Sequence, residues 1–238
     1  MIEQPNLEEI KEKLIEKLKP TGWAHKLKGF IQSSDFDKII KKLYDLRQEG
    51  LRFTPPLKYV FRAFEECPLD QLKVVIVGQD PYPGINISDG MAFSCGFTGI
   101  PQPSLKEIFK QLEKTVFEEW PTNQDPNLKR WANQGVLLLN SALTCQIDKP
   151  GSHTAIWKDF VSYTIDMLNL TNSGLVFILL GKQAQELEDI IGQNHHILKA
   201  SHPASAGYSG KDWDCNNVFN ACNKLIKGMN GPSFCINW

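Results

Sequence analysis

No run in this chain approaches the ~18 uninterrupted apolar residues that a membrane-spanning helix needs, so the sequence reads as that of a soluble protein with no membrane partner. The six cysteines, Cys67, Cys95, Cys145, Cys215, Cys222 and Cys235, include no C-x-x-C pair, and no His/Cys cluster has zinc-ligand spacing. Free thiols in an intracellular compartment, cytoplasm or nucleus, are the simpler expectation, with no secretion and no bound metal. Neither sign of charge prevails: 26 basic against 27 acidic residues leave a net −1. That balance neither announces a polyanion binder nor excludes one with a small basic face. The glycine spacings of dinucleotide-binding and P-loop proteins are missing as well.

What remains is 238 residues, 42% of them apolar, with no repeat, low-complexity tract or linker. One domain with one core is the default at that length. Residues 1–20 mix acidic and basic side chains with Leu7, Ile10, Leu14 and Leu18 at helical spacing, and Asn6 with Glu9 has the position of a cap and its partner. An amphipathic helix within residues 1–22, followed by a catalytic domain over 23–238, is the expected organisation.

Four apolar runs read as buried strands: 74–77, 136–139, 175–180 and a weaker one at 196–198. Between them lie helical patterns at Leu105, Ile108, Phe109, Leu112 and Val116; at Trp157, Phe160, Val161, Ile165 and Leu168; and at Ala184, Leu187, Ile190 and Ile191. A last helix carries Val218, Cys222, Leu225 and Ile226. Alternating strands and helices give an α/β fold, a central, mostly parallel four-stranded sheet with helices on both faces. Ligands of such sheets sit beyond the carboxyl ends of the strands. There the chain places Gly78-Gln79-Asp80-Pro81-Tyr82-Pro83, then Asn140-Ser141, Gly181-Lys182 and Ser201-His202-Pro203. A carboxylate, a carboxamide, a glycine turn and an imidazole thus reach one rim. Prolines after Asp80 and Tyr82 stiffen the first loop.

Gly78-Gln79-Asp80-Pro81-Tyr82 resembles the water-activating motif of the family 1 uracil-DNA glycosylases, and further likenesses follow in order. Gly90-Met91-Ala92-Phe93-Ser94 resembles the segment with the stacking phenylalanine, Pro101-Gln102-Pro103-Ser104-Leu105 the phosphate-contacting loop, and residues 131–140 the uracil-reading strand. The match continues through residues 174–181, His202-Pro203 and Ile236-Asn237-Trp238, covering the chain from Trp23 onward.

The resemblance implies a cofactor-free enzyme that flips uracil out of single- or double-stranded DNA and cleaves its N-glycosidic bond. It assigns catalysis to Asp80, which orients water, and to His202, which donates to the developing uracil oxyanion. Uracil is read by Asn140, stacked on Phe93, met by the backbone of Gln79, and screened from thymine by Tyr82. Ser104, Gly181, Lys182, Ser205, Ala206 and Tyr208 are the DNA-binding candidates. Ser104 also has the spacing of a capping box with Glu107, and Lys182, standing where the family has a small hydroxyl residue, is either a phosphate contact or a solvated charge.

Two departures stand out. Pro83 occupies a position where most cellular members have histidine. Residues 202–209 replace the loop whose leucine wedges into the base stack: Ala206 is nearest that leucine's place, and Tyr208, in a glycine-containing loop, is the candidate wedge. Trp120, Trp131, Trp157 and Trp213 are expected in the core, His153 at a helix start, and His195 and His196 beside a strand. Two rival functions stay open, a DNA-binding scaffold with lost chemistry and a nucleotide-binding α/β enzyme, and no protein partner can be named.

Overall fold

The computed structural model describes residues 6–116 and 124–238, so Trp120 lies outside the described residues. Helices α1 (Leu7–Leu18), α2 (Trp23–Ile31) and α3 (Ser34–Gln48) precede β1 (Phe53–Thr54), α4 (Arg62–Glu66) and β2 (Val74–Gly78). Then come α5 (Pro103–Thr115), α6 (Lys129–Ala132), β3 (Val136–Asn140), β4 (Cys145–Gln146) and α7 (Thr154–Thr171). The chain closes with β5 (Val176–Leu180), α8 (Lys182–Gln185), β6 (His196–Ala200), α9 (Ser205–Ser209) and α10 (Val218–Asn230). Among the described residues no helix is long and apolar enough to cross a membrane.

The four long strands form one parallel sheet in the order β3-β2-β5-β6. Every residue of β2, β3 and β5 is buried, which requires helices on both faces. Each buried Val, Leu or Ile side chain contributes roughly 1.5–3 kcal/mol. β6 is an edge strand and only partly buried, which explains its weaker apolar run. α7 packs against α2 and α3, and α10 against β5 and β6. α1 is capped by Asn6, whose Oδ1 accepts the Glu9 N–H at 3.3 Å, and its Leu14 and Leu18 join the common core. Trp131, Trp157 and Trp213 are buried as well.

From β2 the chain crosses to β3 on one side, and from β5 it crosses to β6 on the other. The two connections leave in opposite directions, so a crevice opens between the carboxyl ends of β2 and β5.

Three local expectations are corrected, and one small element is added. The helix at 184–191 stops at Gln185 and continues as a 3-10 turn, Glu188–Ile190. The Asn169 side chain on α7 donates to the Ile190 carbonyl and accepts the Gly192 N–H, both at 2.8 Å, and so holds the end of that turn. The Ser104–Glu107 capping box does not form: Gln102 is the N-cap and Pro103, pre-set in φ, opens α5. Glu107 turns instead to Lys110 and the Trp213 N–H. Residues 205–209 form the short helix α9 rather than a loop. Finally, β1 pairs antiparallel with β4 in a small second sheet that the sequence did not announce.

Candidate active site

At the end of β2 the Ser141 and Ala142 N–H groups donate to the Gly78 and Gln79 carbonyls at 3.0 and 3.1 Å, and Ser141 Oγ donates to the Gln79 carbonyl at 2.7 Å. Those carbonyls are turned toward β3's exit. Because a trans peptide points its N–H opposite to its C=O, the Gln79 and Asp80 N–H groups face the other way, as a pair of donors.

The Asp80 carboxylate accepts the Gly151 N–H at 2.5 Å from the loop before α7. Burial raises its pKa, and the Gly151 hydrogen bond works in the opposite sense. Beside it the Cys145 thiol donates to the Pro81 carbonyl at 3.2 Å; burial first, and the Asp80 charge second, push this thiol up to about 12. Tyr82 donates its hydroxyl to the Phe93 carbonyl at 3.1 Å, and burial keeps it a neutral phenol.

Phe93 has a φ of +63°, a conformation uncommon for an aromatic residue. Its neighbours hold it there: the Ala92 N–H donates to the Leu138 carbonyl at 2.9 Å and the Ser94 hydroxyl to Asp89 at 2.7 Å. Asp89 is fully buried and paired with Arg62 at 2.7 Å. Gly78 lies where the Asn140 amide and the Phe93 ring converge: a Cβ there would fall 2.8 Å from Asn140 Oδ1 and 3.2 Å from the ring.

His202 stands with its ring centroid 5.8 Å from that of Phe93, the planes at 40°. Gly181, at φ +97°, makes room, since a Cβ there would meet His202 Cβ at 2.9 Å. The Ala204 N–H donates to His202 Nδ1 at 3.1 Å, and burial lowers the imidazole pKa. The ring is therefore neutral at ordinary pH with its proton on Nε2.

The fold thus brings Gln79, Asp80, Tyr82, Phe93, Asn140, Gly181 and His202 to the β2–β5 crevice and its margins. The other candidates are spread around it. Lys182 is exposed on α8 directly after Gly181. Ser205, Ala206 and Tyr208 lie on α9, directly after the His202 turn. Ser205 Oγ is 3.3 Å from Ser201 Oγ, Ala206 is half-buried, and Tyr208 is 92% exposed. Ser104 is buried in the first turn of α5, next to the fully buried Leu105. His153 is a buried N-cap residue of α7 with Nδ1 2.8 Å from Thr144 Oγ1, outside the cluster.

Sequence reasoning missed Arg62, Asp89 and Gly151. A buried Asp89 signals nothing locally, because its partner lies on a helix that precedes β2, and Gly151 contributes only a backbone N–H. Among the described residues no group of three or more His, Cys, Asp or Glu side chains could hold a metal ion.

The family model of the uracil DNA glycosylase superfamily matches residues 64–227. A uracil-DNA glycosylase of Acinetobacter baylyi is 38% identical over 209 residues, 87% of each chain. One from Amoebophilus asiaticus is 45% identical over 152 residues, 63% of this chain and 68% of the relative. Among solved structures, the mimivirus uracil-DNA glycosylase superposes with a TM-score of 0.80 at 26% identity, covering 93% of this chain and 88% of its own. A match to the family's model across the sheet and its rim, together with relatives alike over most of their length, shows that this chain belongs to the uracil DNA glycosylase superfamily.

Proposed function

We propose that this chain is a family 1 uracil-DNA glycosylase acting in base-excision repair on single- and double-stranded DNA, with residues 23–238 as the glycosylase domain, helix α1 of the 1–22 segment packed on it, and Asp80 and His202 as its catalytic pair. The enzyme hydrolyses the N-glycosidic bond between uracil and deoxyribose, releasing free uracil and an abasic site. The observation that carries the residue assignment is the hydrogen bond from the Ala204 N–H to His202 Nδ1 at 3.1 Å. With Nδ1 occupied as an acceptor, the Nε2–H is the group His202 offers to a substrate.

As the C1′–N1 bond breaks, its electron pair leaves with uracil and the sugar becomes cationic. Fixed donors facing the developing anion lower the barrier without reorganising. The His202 Nε2–H and the Gln79 and Asp80 N–H groups are those donors. Asp80, ionised, stabilises the sugar cation and takes a proton from the water whose oxygen bonds to C1′. Asn140 pairs with the uracil edge, Phe93 stacks on its face, and Tyr82 fills the space a thymine methyl would need. Ser104, Gly181, Lys182 and Ser205 flank the strand, where hydroxyls, a lysine and backbone amides position phosphates without reading sequence, while Ala206 and Tyr208 stand at the wedge position beside the base stack.

The test is release of free uracil from a uracil-containing oligonucleotide by the purified protein in chelator, beside Asp80→Asn and His202→Ala. Release by the wild type and loss by ~10^2-fold or more in each variant are expected. Near-normal turnover of either variant overturns its role.

A further inference from the structure

The loop between β4 and α7 contributes no side chain to the site, yet it is fastened to the first catalytic loop at two points. The Gly151 N–H donates to Asp80 Oδ2 at 2.5 Å, and the Asp148 N–H donates to the Pro83 carbonyl at 3.1 Å. The loop is itself cross-linked. Ser152 Oγ accepts the Gln146 N–H at 2.8 Å, the Lys149 N–H donates to the Gln146 carbonyl at 3.1 Å, and the Ile147 N–H donates to the Arg52 carbonyl at 2.9 Å beside the β1–β4 pair. Gly151 sits at φ +77°, and a Cβ there would touch only the end of the Gln79 side chain at 3.9 Å. Glycine is thus required for backbone conformation and not for lack of space, and that conformation aims the N–H at the carboxylate.

We propose that Gly151 is a positioning residue for the uracil-excision reaction: its N–H fixes one oxygen of Asp80, leaving the other to orient water. The inference rests on Asp80 being the water-activating group. Pro83, three residues further along, has no side-chain donor to offer the carboxylate, whereas the loop supplies a backbone donor. Losing this bond leaves burial unopposed and raises the pH at which Asp80 ionises.

The other titratable groups on the surrounding elements do not substitute. The Cys145 thiol is pushed up to about 12, burial lowers His153 and His202, the Tyr82 phenol stays neutral, and Asp148 and Lys149 are exposed at the loop tip.

The test is the single-turnover rate of uracil release against pH for wild type, Gly151→Ala, Gly151→Asn and Asp80→Asn. Alanine at positive φ is strained and relaxes the peptide away from Asp80, whereas asparagine tolerates that conformation. The acid limb of Gly151→Ala should move up by about one pH unit, with most of the rate regained on the alkaline plateau, and Gly151→Asn should lie near wild type. A Gly151→Ala plateau that drops while the limb stays in place, or equal limbs for alanine and asparagine, overturns the positioning role. If Asp80→Asn retains activity, the assignment of Asp80 itself fails, which is a separate outcome.

Discussion

Burial disfavours the ionised form of Asp80, so its proposed catalytic role sets activity against stability at a single position. Its folded pKa is raised by burial. A carboxyl of that kind contributes its stability fully below the unfolded pKa and loses it as pH rises through the folded pKa. At neutral pH the ionised form is therefore a cost to the fold. Asp80→Asn keeps an acceptor for the Gly151 N–H and removes the charge, so its melting temperature at pH 7 should equal or exceed that of wild type, the advantage shrinking as the pH falls toward 4. A variant that melts well below wild type at pH 7 contradicts this account. Tyr82 makes a second residue-scale case, because its ring is anchored through the Phe93 carbonyl. Tyr82→Ala should release thymine from DNA while still releasing uracil, which gas or liquid chromatography of the freed bases would detect; uracil alone among the products would remove Tyr82 from the screening role.

The elements that matter are short, and they were the hardest to read. The long strands were plain because buried parallel strands concentrate Val, Leu and Ile. α8 and α9 were not, because each is barely more than one turn long and carries no apolar stripe of its own: Asn169 on α7 holds the end of the 3-10 turn that follows α8, and α9 follows directly on the His202 turn. Three of the proposed DNA contacts fall on α9. It carries Tyr208 almost fully exposed, two residues beyond the half-buried Ala206. A helix presents such a ring in a defined direction, and an aromatic or apolar wedge can enter a base stack. Single strands have already lost much of the stacking that a duplex keeps. Tyr208→Ala should thus impair duplex cleavage at least about tenfold more than single-strand cleavage, ~1.4 kcal/mol of differential transition-state stabilisation. Equal losses on both substrates would show that Tyr208 is not the wedge. At the β5–α8 turn, Gly181→Ala combines a strained φ with a contact on His202 Cβ. Uracil release should fall while circular dichroism stays native, and unchanged release would mean that His202 adapts freely.

For the whole molecule, the sequence made the rim legible before the pocket. Knowing that Asp80, Asn140, Gly181 and His202 follow strands was enough to place them at one edge. The strand order, and with it the crevice between β2 and β5, came only from the fold, since nothing local in these runs states which neighbours they take. The Arg62–Asp89 pair and the Gly151 N–H were invisible for the same reason: each acts across a separation that periodicity does not span. That separation also governs how the site comes into being. Every strand pair in the main sheet is parallel, so each closes a large loop, and chains rich in such distant pairings fold slowly. In refolding from denaturant, helical circular dichroism should recover first and glycosylase activity last, in step with the slowest phase of tryptophan fluorescence, since Trp131 and Trp157 are buried in the common core. Activity returning with the earliest helical signal would mean that the rim can assemble before the sheet is complete. Otherwise a newly made chain passes through an interval in which it is compact and helical but cannot yet repair DNA.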